Sequence, residues 1–209
     1  TLTQNRMSVS RLFAAGRSFD CAGSSQQDLP EEAHSLLEFG VLASRQDPFD
    51  PMEKAIKQSG EQYLGRTEHI HGNWTLVREY PLSTELLALS HVWRSSGDGK
   101  LIVATKGAPE AVGDLCHMGT EQLRELSATV AGMANDGLRV LGVARGVLSD
   151  ETLPQLQHDV EFEFLGLVGL ARRRSEQLRH GLLRLLGPAP RSGLRLDGLC
   201  GGHIRVALA

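Results

Sequence analysis

The stretch Lys100-Leu101-Ile102-Val103-Ala104-Thr105-Lys106-Gly107-Ala108-Pro109-Glu110-Ala111-Val112-Gly113-Asp114-Leu115-Cys116 decides how the chain is read. Leu101 to Thr105 is a short apolar, β-branched run, and Lys106-Gly107 interrupts it. Pro109 stands at the first position of a helix, with Glu110 in its first turn, where the helix dipole favours an acid. A strand, a glycine turn and a helix therefore follow one another within seventeen residues. They set one lysine at a strand end, beside backbone that can approach a ligand closely.

Working outward, strand signals cover Asn73 to Glu79 and Leu86 to Arg94, and Ser95-Ser96-Gly97-Asp98-Gly99 joins the latter to Lys100 as a hairpin. A helix is expected from Thr120 to Asn135, with Leu123, Leu126, Val130 and Met133 on one side and Gly137 as its stop. Leu138 to Ala144 reads as a further buried strand. Val160 to Leu170 alternates and then turns wholly apolar, as does a strand covered on both faces. Towards the N-terminus, Met7 to Leu12 is a strand and Ser18 to Pro30 a polar linker. One helix then follows Pro30, and a second opens at Asp50-Pro51, with Glu53 three residues after the cap as in a capping box. Gly60 is the expected end of that helix. The fold class is α+β: an antiparallel sheet flanked by helices, with stubs of a neighbouring α/β domain. The expected domains are a strand stub at 1–17, the main domain at 18–158, a returning strand at 159–171 and an irregular basic tail at 172–209.

At 41% hydrophobic and 22% charged residues, the 209-residue chain can bury a sizeable core. Its longest apolar stretch, Phe164 to Ala171, is far short of the roughly 20 residues of a membrane helix. It opens on a polar, strand-like segment in place of a signal peptide. The three cysteines, Cys21, Cys116 and Cys200, share no CxxC spacing, which points to reduced thiols. The first 171 residues hold 14 basic and 23 acidic side chains, an acidic balance that excludes a nucleic-acid-binding reading. His69-Ile70-His71 could face two imidazoles one way, but no third ligand lies nearby in sequence, so no metal site is expected.

The motifs together resemble P-type ATPases, ion pumps that phosphorylate themselves on an aspartate. Lys106-Gly107-Ala108-Pro109-Glu110 is similar to the motif of their nucleotide-binding domain. Asp50-Pro51-Met52-Glu53-Lys54-Ala55 is similar to the family's Asp-Pro-Thr-Glu-x-Ala segment, whose glutamate contacts adenine. Asp136-Gly137-Leu138-Arg139-Val140-Leu141 resembles a Gly-x-Arg-x-Leu strand, whose arginine meets the phosphates. Glu79 to Ser83 and Ser90 to Trp93 resemble bacterial cation pumps nearest the calcium type. Thr1-Leu2-Thr3 resembles the residues after the phosphorylated aspartate, which would place the nucleophile outside this chain.

The resemblance implies ATP as ligand (Mg-ATP in a full pump), a cytoplasmic location, and the phosphorylation, actuator and membrane domains of a pump as partners. It also implies cation transport driven by ATP hydrolysis, with no catalytic residue in this chain and no turnover by the chain alone. The alternative is a non-catalytic ATP-binding remnant or regulatory module from a truncated or decayed gene. The ATP-binding residues it marks are Glu53, Lys106, Gly107 and Arg139. In many cation pumps the strand after the adenine glutamate carries a stacking phenylalanine and, five residues on, a lysine. Here Leu82 and Leu87 take those places, leaving Leu82 or Tyr80 to wall the adenine. Lys106 is expected to cover the purine with its stem and turn its ammonium to the phosphates.

Two expectations concern the C-terminal part. The strand Phe164 to Leu170 should return to a parallel sheet whose other strands are mostly missing, leaving an unpaired apolar edge. Beyond it, an Asp-Pro pair should follow, yet Arg172-Arg173-Arg174 and a Leu, Arg, Gly and Pro-rich stretch stand there. That composition reads as a frameshift or gene decay, or alternatively as an amphipathic basic helix.

Overall fold

The computed structural model describes residues 6–21, 29–65, 67–148 and 153–172. The chain divides into two units, residues 1–173 and 174–209. The second unit and the residues Thr1-Leu2-Thr3 lie outside the described residues, as do the readings made on them.

The first unit is built on one seven-stranded sheet. Its strands are β1 (Met7–Ala14), β2 (Arg17–Asp20), β3 (Thr75–Tyr80), β4 (Ala88–Arg94), β5 (Leu101–Gly107), β6 (Arg139–Leu148) and β7 (Phe162–Arg172). They lie in the order β2-β1-β7-β6-β5-β4-β3, and every neighbouring pair is antiparallel. Four helices cover it: α1 (Glu31–Leu42), α2 (Pro51–Leu64), α3 (Pro109–Leu115) and α4 (Thr120–Asn135). The α+β class and antiparallel sheet read from the sequence are thus observed.

Alternation along the strands divides the core into two layers. Leu36, Leu37, Ala55 and Ile56 of α1 and α2 pack with Trp93, Ala104, Val143 and Val168 on one face. Val112 and Leu115 of α3 meet Ala88 and Ala144 on the other, where Leu126 and Met133 of α4 meet Leu167. Polar groups buried in this second layer are satisfied: Ser90 Oγ and Thr105 Oγ1 share a 2.6 Å bond, and Ser90 donates to Gln157 at 2.5 Å.

Two expectations are corrected here. The strand Phe164 to Leu170 is neither parallel nor an open edge, because β7 pairs with β1 on one side and β6 on the other. Strands from residues 1–17, 18–158 and 159–171 share this one sheet. A both-faces-apolar run signals burial on both sides, and helices on both faces of an antiparallel sheet produce it as well as a parallel sheet does. Nor does Gly60 end the second helix, since α2 continues to Leu64. Gly60 is buried where α2 crosses α1, and a Cβ there would stand 2.5 Å from Val41 Cγ2. Its missing side chain permits the close helix crossing.

Candidate functional site

Four chain segments bring the site together at one end of the sheet: the loop and first turn of α2, the β3–β4 connection with the start of β4, the end of β5, and the start of β6. Asp50 caps α2, its Oδ1 accepting from Met52 N at 2.7 Å and from Glu53 N at 3.4 Å. With Pro51 at the first helical position, the first turn is rigid and Glu53 is presented towards the sheet. The start of β6 is set by the end of α4. Gly137, at φ 78°, follows the C-cap Asp136, Gly137 N donates to Ala134 O at 2.9 Å and Leu138 N to Met133 O at 3.2 Å. This pair of bonds is a Schellman motif, closed by contact between Met133 and Leu138. It delivers Arg139 as the first residue of β6, while Asp136 is held by Arg11 at 2.6 Å.

The register places the side chains. Lys106 lies opposite Leu89 on β4 and Val143 on β6. Arg139 and Leu141 share the parity of Val143, so all five face α1 and α2. Between them lies a cavity of about 720 Å³. Its walls include Phe49, Met52, Leu82 and Leu87, its floor the backbone from Lys106 to Pro109, and its polar groups Arg45, Asp50, Glu53 and Arg139. Such a volume, mostly apolar with a few convergent polar groups, suits a ligand of nucleotide size.

Lys106 is buried, and its Nζ donates to Glu53 Oε1 at 2.7 Å and to Ser44 Oγ at 2.6 Å. Burial lowers its pKa from the usual lysine value, while the bond to Glu53 and the charge of that carboxylate oppose the fall. The ammonium is therefore turned onto Glu53 at the start of α2 and Ser44 just after α1. Glu53, in turn, uses Oε1 on Lys106 in place of the reciprocal half of a capping box. Gly107 serves the sheet itself: a Cβ there would stand 2.3 Å from Leu87 O and 2.5 Å from Ala88 Cα.

Tyr80 is removed from the site. It pairs with Ser90, so it faces the layer of Val92, Val103 and Val160, where its hydroxyl donates to Pro154 O. Leu82 and Leu87 do line the cavity and are 58% and 54% exposed. The aromatic missed in the sequence is Phe49, 84% exposed and also in the lining. Its signal was present, because Phe49 precedes the N-cap Asp50 and the fourth helical position, which could staple to it, is Lys54. An apolar residue there would staple to another apolar one, and lysine offers none.

Fold and cavity together define an α+β domain with a mostly apolar cavity at one end of its antiparallel sheet. The family model for the P-type ATPase cytoplasmic domain N matches residues 44–174, and the chain belongs to that family. It is 21% identical to a calcium-transporting ATPase of Bacillus subtilis (strain 168), an alignment covering all of this chain and 27% of that protein. It is 31% identical to the probable cation-transporting ATPase 13A5 of Mus musculus, over 53% of this chain and 10% of that one. A putative cation-transporting ATPase of Methanocaldococcus jannaschii is 28% identical over 69% of this chain and 16% of its own length. The chain thus spans about a quarter or less of these relatives. Among the described residues no helix is long and apolar enough to cross a membrane.

Proposed function

We propose that the cavity between α2 and the ends of β5 and β6 binds ATP, and that the chain is the nucleotide-binding domain of a cation pump. The observation that carries this reading is the convergence of three exposed apolar side chains, Phe49, Leu82 and Leu87, with two arginines around one cavity. Apolar groups gathered in one concavity mark a ligand with an apolar face. Adenine lies against Phe49 and the two leucines, and its amino group is met by the carboxylate of Glu53. Lys106 holds that carboxylate in place and covers the purine with its stem. The triphosphate, with its Mg²⁺ in a full pump, runs towards Arg139 and Arg45, whose planar forks suit phosphate oxygens.

The site binds without reacting. Asp50, the aspartate in the lining, uses Oδ1 to cap α2. Transfer of the γ-phosphoryl then takes place on an aspartate elsewhere in the pump, and this domain's task is to deliver the nucleotide. Cation transport belongs to that larger assembly, with its phosphorylation, actuator and membrane parts.

Titration of ATP, ADP and adenosine, followed by backbone amide shifts, tests the reading. All three ligands should move resonances at Glu53, Gly107 and Leu82. Arg139→Ala should weaken ATP and ADP by about 1–2 kcal/mol, the scale of one charge-assisted contact, and leave adenosine unchanged. Equal losses for adenosine and ATP, or shifts confined to other parts of the sheet, would place the ligand elsewhere.

A further inference from the structure

On the same side of the sheet, but away from the nucleotide cavity, three histidines and two glutamates gather between α1 and the segment before β3. Glu31 and His34 are one turn apart at the start of α1, and the fold lays His69 over them. One ligand atom from each of Glu31, His34 and His69 lies within 4.8 Å of the others. His69 Nε2 is 3.3 Å from Glu31 Oε1, and His34 Nδ1 is 3.8 Å from Glu31 Oε2. Around a tetrahedral ion with bonds of about 2.0–2.1 Å, neighbouring donor atoms stand roughly 3.3–3.4 Å apart. The three groups are thus close to coordination spacing.

The second observation lies behind them. Glu38, one turn on from His34 and buried, has Oε2 2.6 Å from His69 Nδ1 and Oε1 2.7 Å from His71 Nε2. A carboxylate only accepts, so His69 donates from Nδ1 to Glu38, and Nε2, 3.3 Å from Glu31, is the ring nitrogen that gives up its proton when an ion takes that position. This is the carboxylate–histidine arrangement that orients metal-binding imidazoles. The carboxylate is itself fixed, because His71 is stacked on Trp74 at 3.7 Å between ring centroids. His69 and His71 therefore have different roles, one turned to the cluster and one holding the carboxylate behind it. Two of the three ligands thus come from α1, more than thirty residues before His69, and His71 is not one of them.

We propose that Glu31, His34 and His69 form a binding site for a first-row divalent cation of the Zn²⁺ class, with Glu38 as the positioning residue behind His69. Two imidazoles and one carboxylate suit Zn²⁺, Co²⁺ or Ni²⁺ and disfavour Mg²⁺ and Ca²⁺, which take oxygen ligands. Glu31 is exposed at the rim of the cluster, so the remaining coordination positions are open to water or to another ligand. Nothing in the site depends on nucleotide, and an ion there ties the start of α1 to the segment leading into β3.

The test uses the full chain and Zn²⁺ and Co²⁺ themselves. Calorimetry should give one Zn²⁺ per chain, with Mg²⁺ and Ca²⁺ failing to compete, and Co²⁺ should give a visible band without the intense near-ultraviolet absorption of a thiolate ligand. His34→Ala and His69→Ala should each weaken Zn²⁺ at least 30-fold, and Glu38→Gln by about 10- to 100-fold, as for other partners of metal-bound histidines. Glu31→Gln keeps the argument testable if a histidine variant unfolds, because this exposed side chain lies outside the core, and it should weaken Zn²⁺ at least 10-fold. His158→Ala should change nothing. Binding that survives the combined change of Glu31, His34 and His69, or a chain that takes up no Zn²⁺ in one-to-one ratio, would leave these residues as an ion-pair cluster only and overturn the proposal.

Discussion

Lys106 Nζ and Glu53 Oε1 meet at 2.7 Å across 53 residues of chain, joining the end of β5 to the first turn of α2 inside the protein. Ser44 Oγ completes the ammonium's shell at 2.6 Å. Two of the residues that the resemblance assigns to the nucleotide are thus partners of each other. On the proposed reading, a glutamate so held would need no ordering when adenine enters.

Lys106→Ala should therefore act through Glu53. With its partner gone, the carboxylate is left partly buried and uncompensated, and breaking such pairs costs about 3–5 kcal/mol in closed interiors. Because Glu53 borders the cavity and can take up water, a stability loss near 2–3 kcal/mol is expected, at or just below that range. Urea unfolding of Lys106→Ala, Glu53→Gln and the double variant checks it. The double variant should recover part of the loss, and strictly additive effects would show that the pair is not coupled. ATP, ADP and adenosine should weaken together in Lys106→Ala, in contrast to Arg139→Ala.

Phe49→Ala separates binding from folding. At 84% exposure the ring adds little to the core, so stability should stay within about 0.5 kcal/mol of wild type. If the ring stacks on the base, adenosine and ATP should weaken equally, by about 0.5–1.5 kcal/mol, and Phe49→Trp should retain affinity. Unchanged nucleotide affinity in Phe49→Ala would leave Leu82 and Leu87 as the apolar walls.

Much of this was legible in the chain, and the parts that were not share a cause. Elements with local signals were read closely: α4 occupies Thr120 to Asn135 as its periodicity and Gly137 require. Asp50 caps α2 as expected, and the β4–β5 pair follows the hairpin read at Ser95 to Gly99. Facing relations between distant segments were not legible. Tyr80 and Lys106 are both close to the motif strands, but the register sets them on opposite faces, a one-residue question of parity that composition does not answer. β7 carried the apolar signature of a covered strand without saying which neighbours cover it. His69 found its partners on α1 only when the helix folded across the sheet.

Gly107→Ala tests how tightly β5 and β4 are joined beside the cavity. The added Cβ would meet Leu87 O at 2.3 Å and Ala88 Cα at 2.5 Å, and both are backbone atoms that cannot step aside alone. Either the β4–β5 ladder shifts or the bond from Ala108 N to Leu87 O, now 2.8 Å, is lost. Overpacking of this kind costs about 1–3 kcal/mol, and the shift should also reduce nucleotide affinity because Leu87 lines the cavity. Thermal unfolding and a nucleotide titration of the same variant read both effects. A variant as stable as wild type would mean that the strands are less closely joined than the geometry shows.

His91 makes stability depend on pH. It is buried on β4, with Nδ1 3.0 Å from Leu42 O, the carbonyl that also accepts from Trp93 Nε1 at 2.9 Å. Burial lowers its pKa below the ordinary 6.5, and the Lys106 cation lowers it further, while the Leu42 carbonyl and the charges of Glu79 and Glu53 act the other way. The net direction is down, so at pH 6.5 fewer than half of the native molecules carry the proton on His91, against half of the unfolded ones. Between the native pKa and 6.5 the unfolded state binds more protons, so stability rises with pH there. The contribution is complete above 6.5 and is lost as pH falls towards the native pKa. In His91→Asn the amide can still donate to Leu42 O but does not titrate. Unfolding free energies at pH 7.5, 6.5 and 5.5 should show the wild type losing stability relative to this variant on acidification. A gap that stays constant, or that moves in favour of the wild type at pH 5.5, would show that His91 does not carry this linkage.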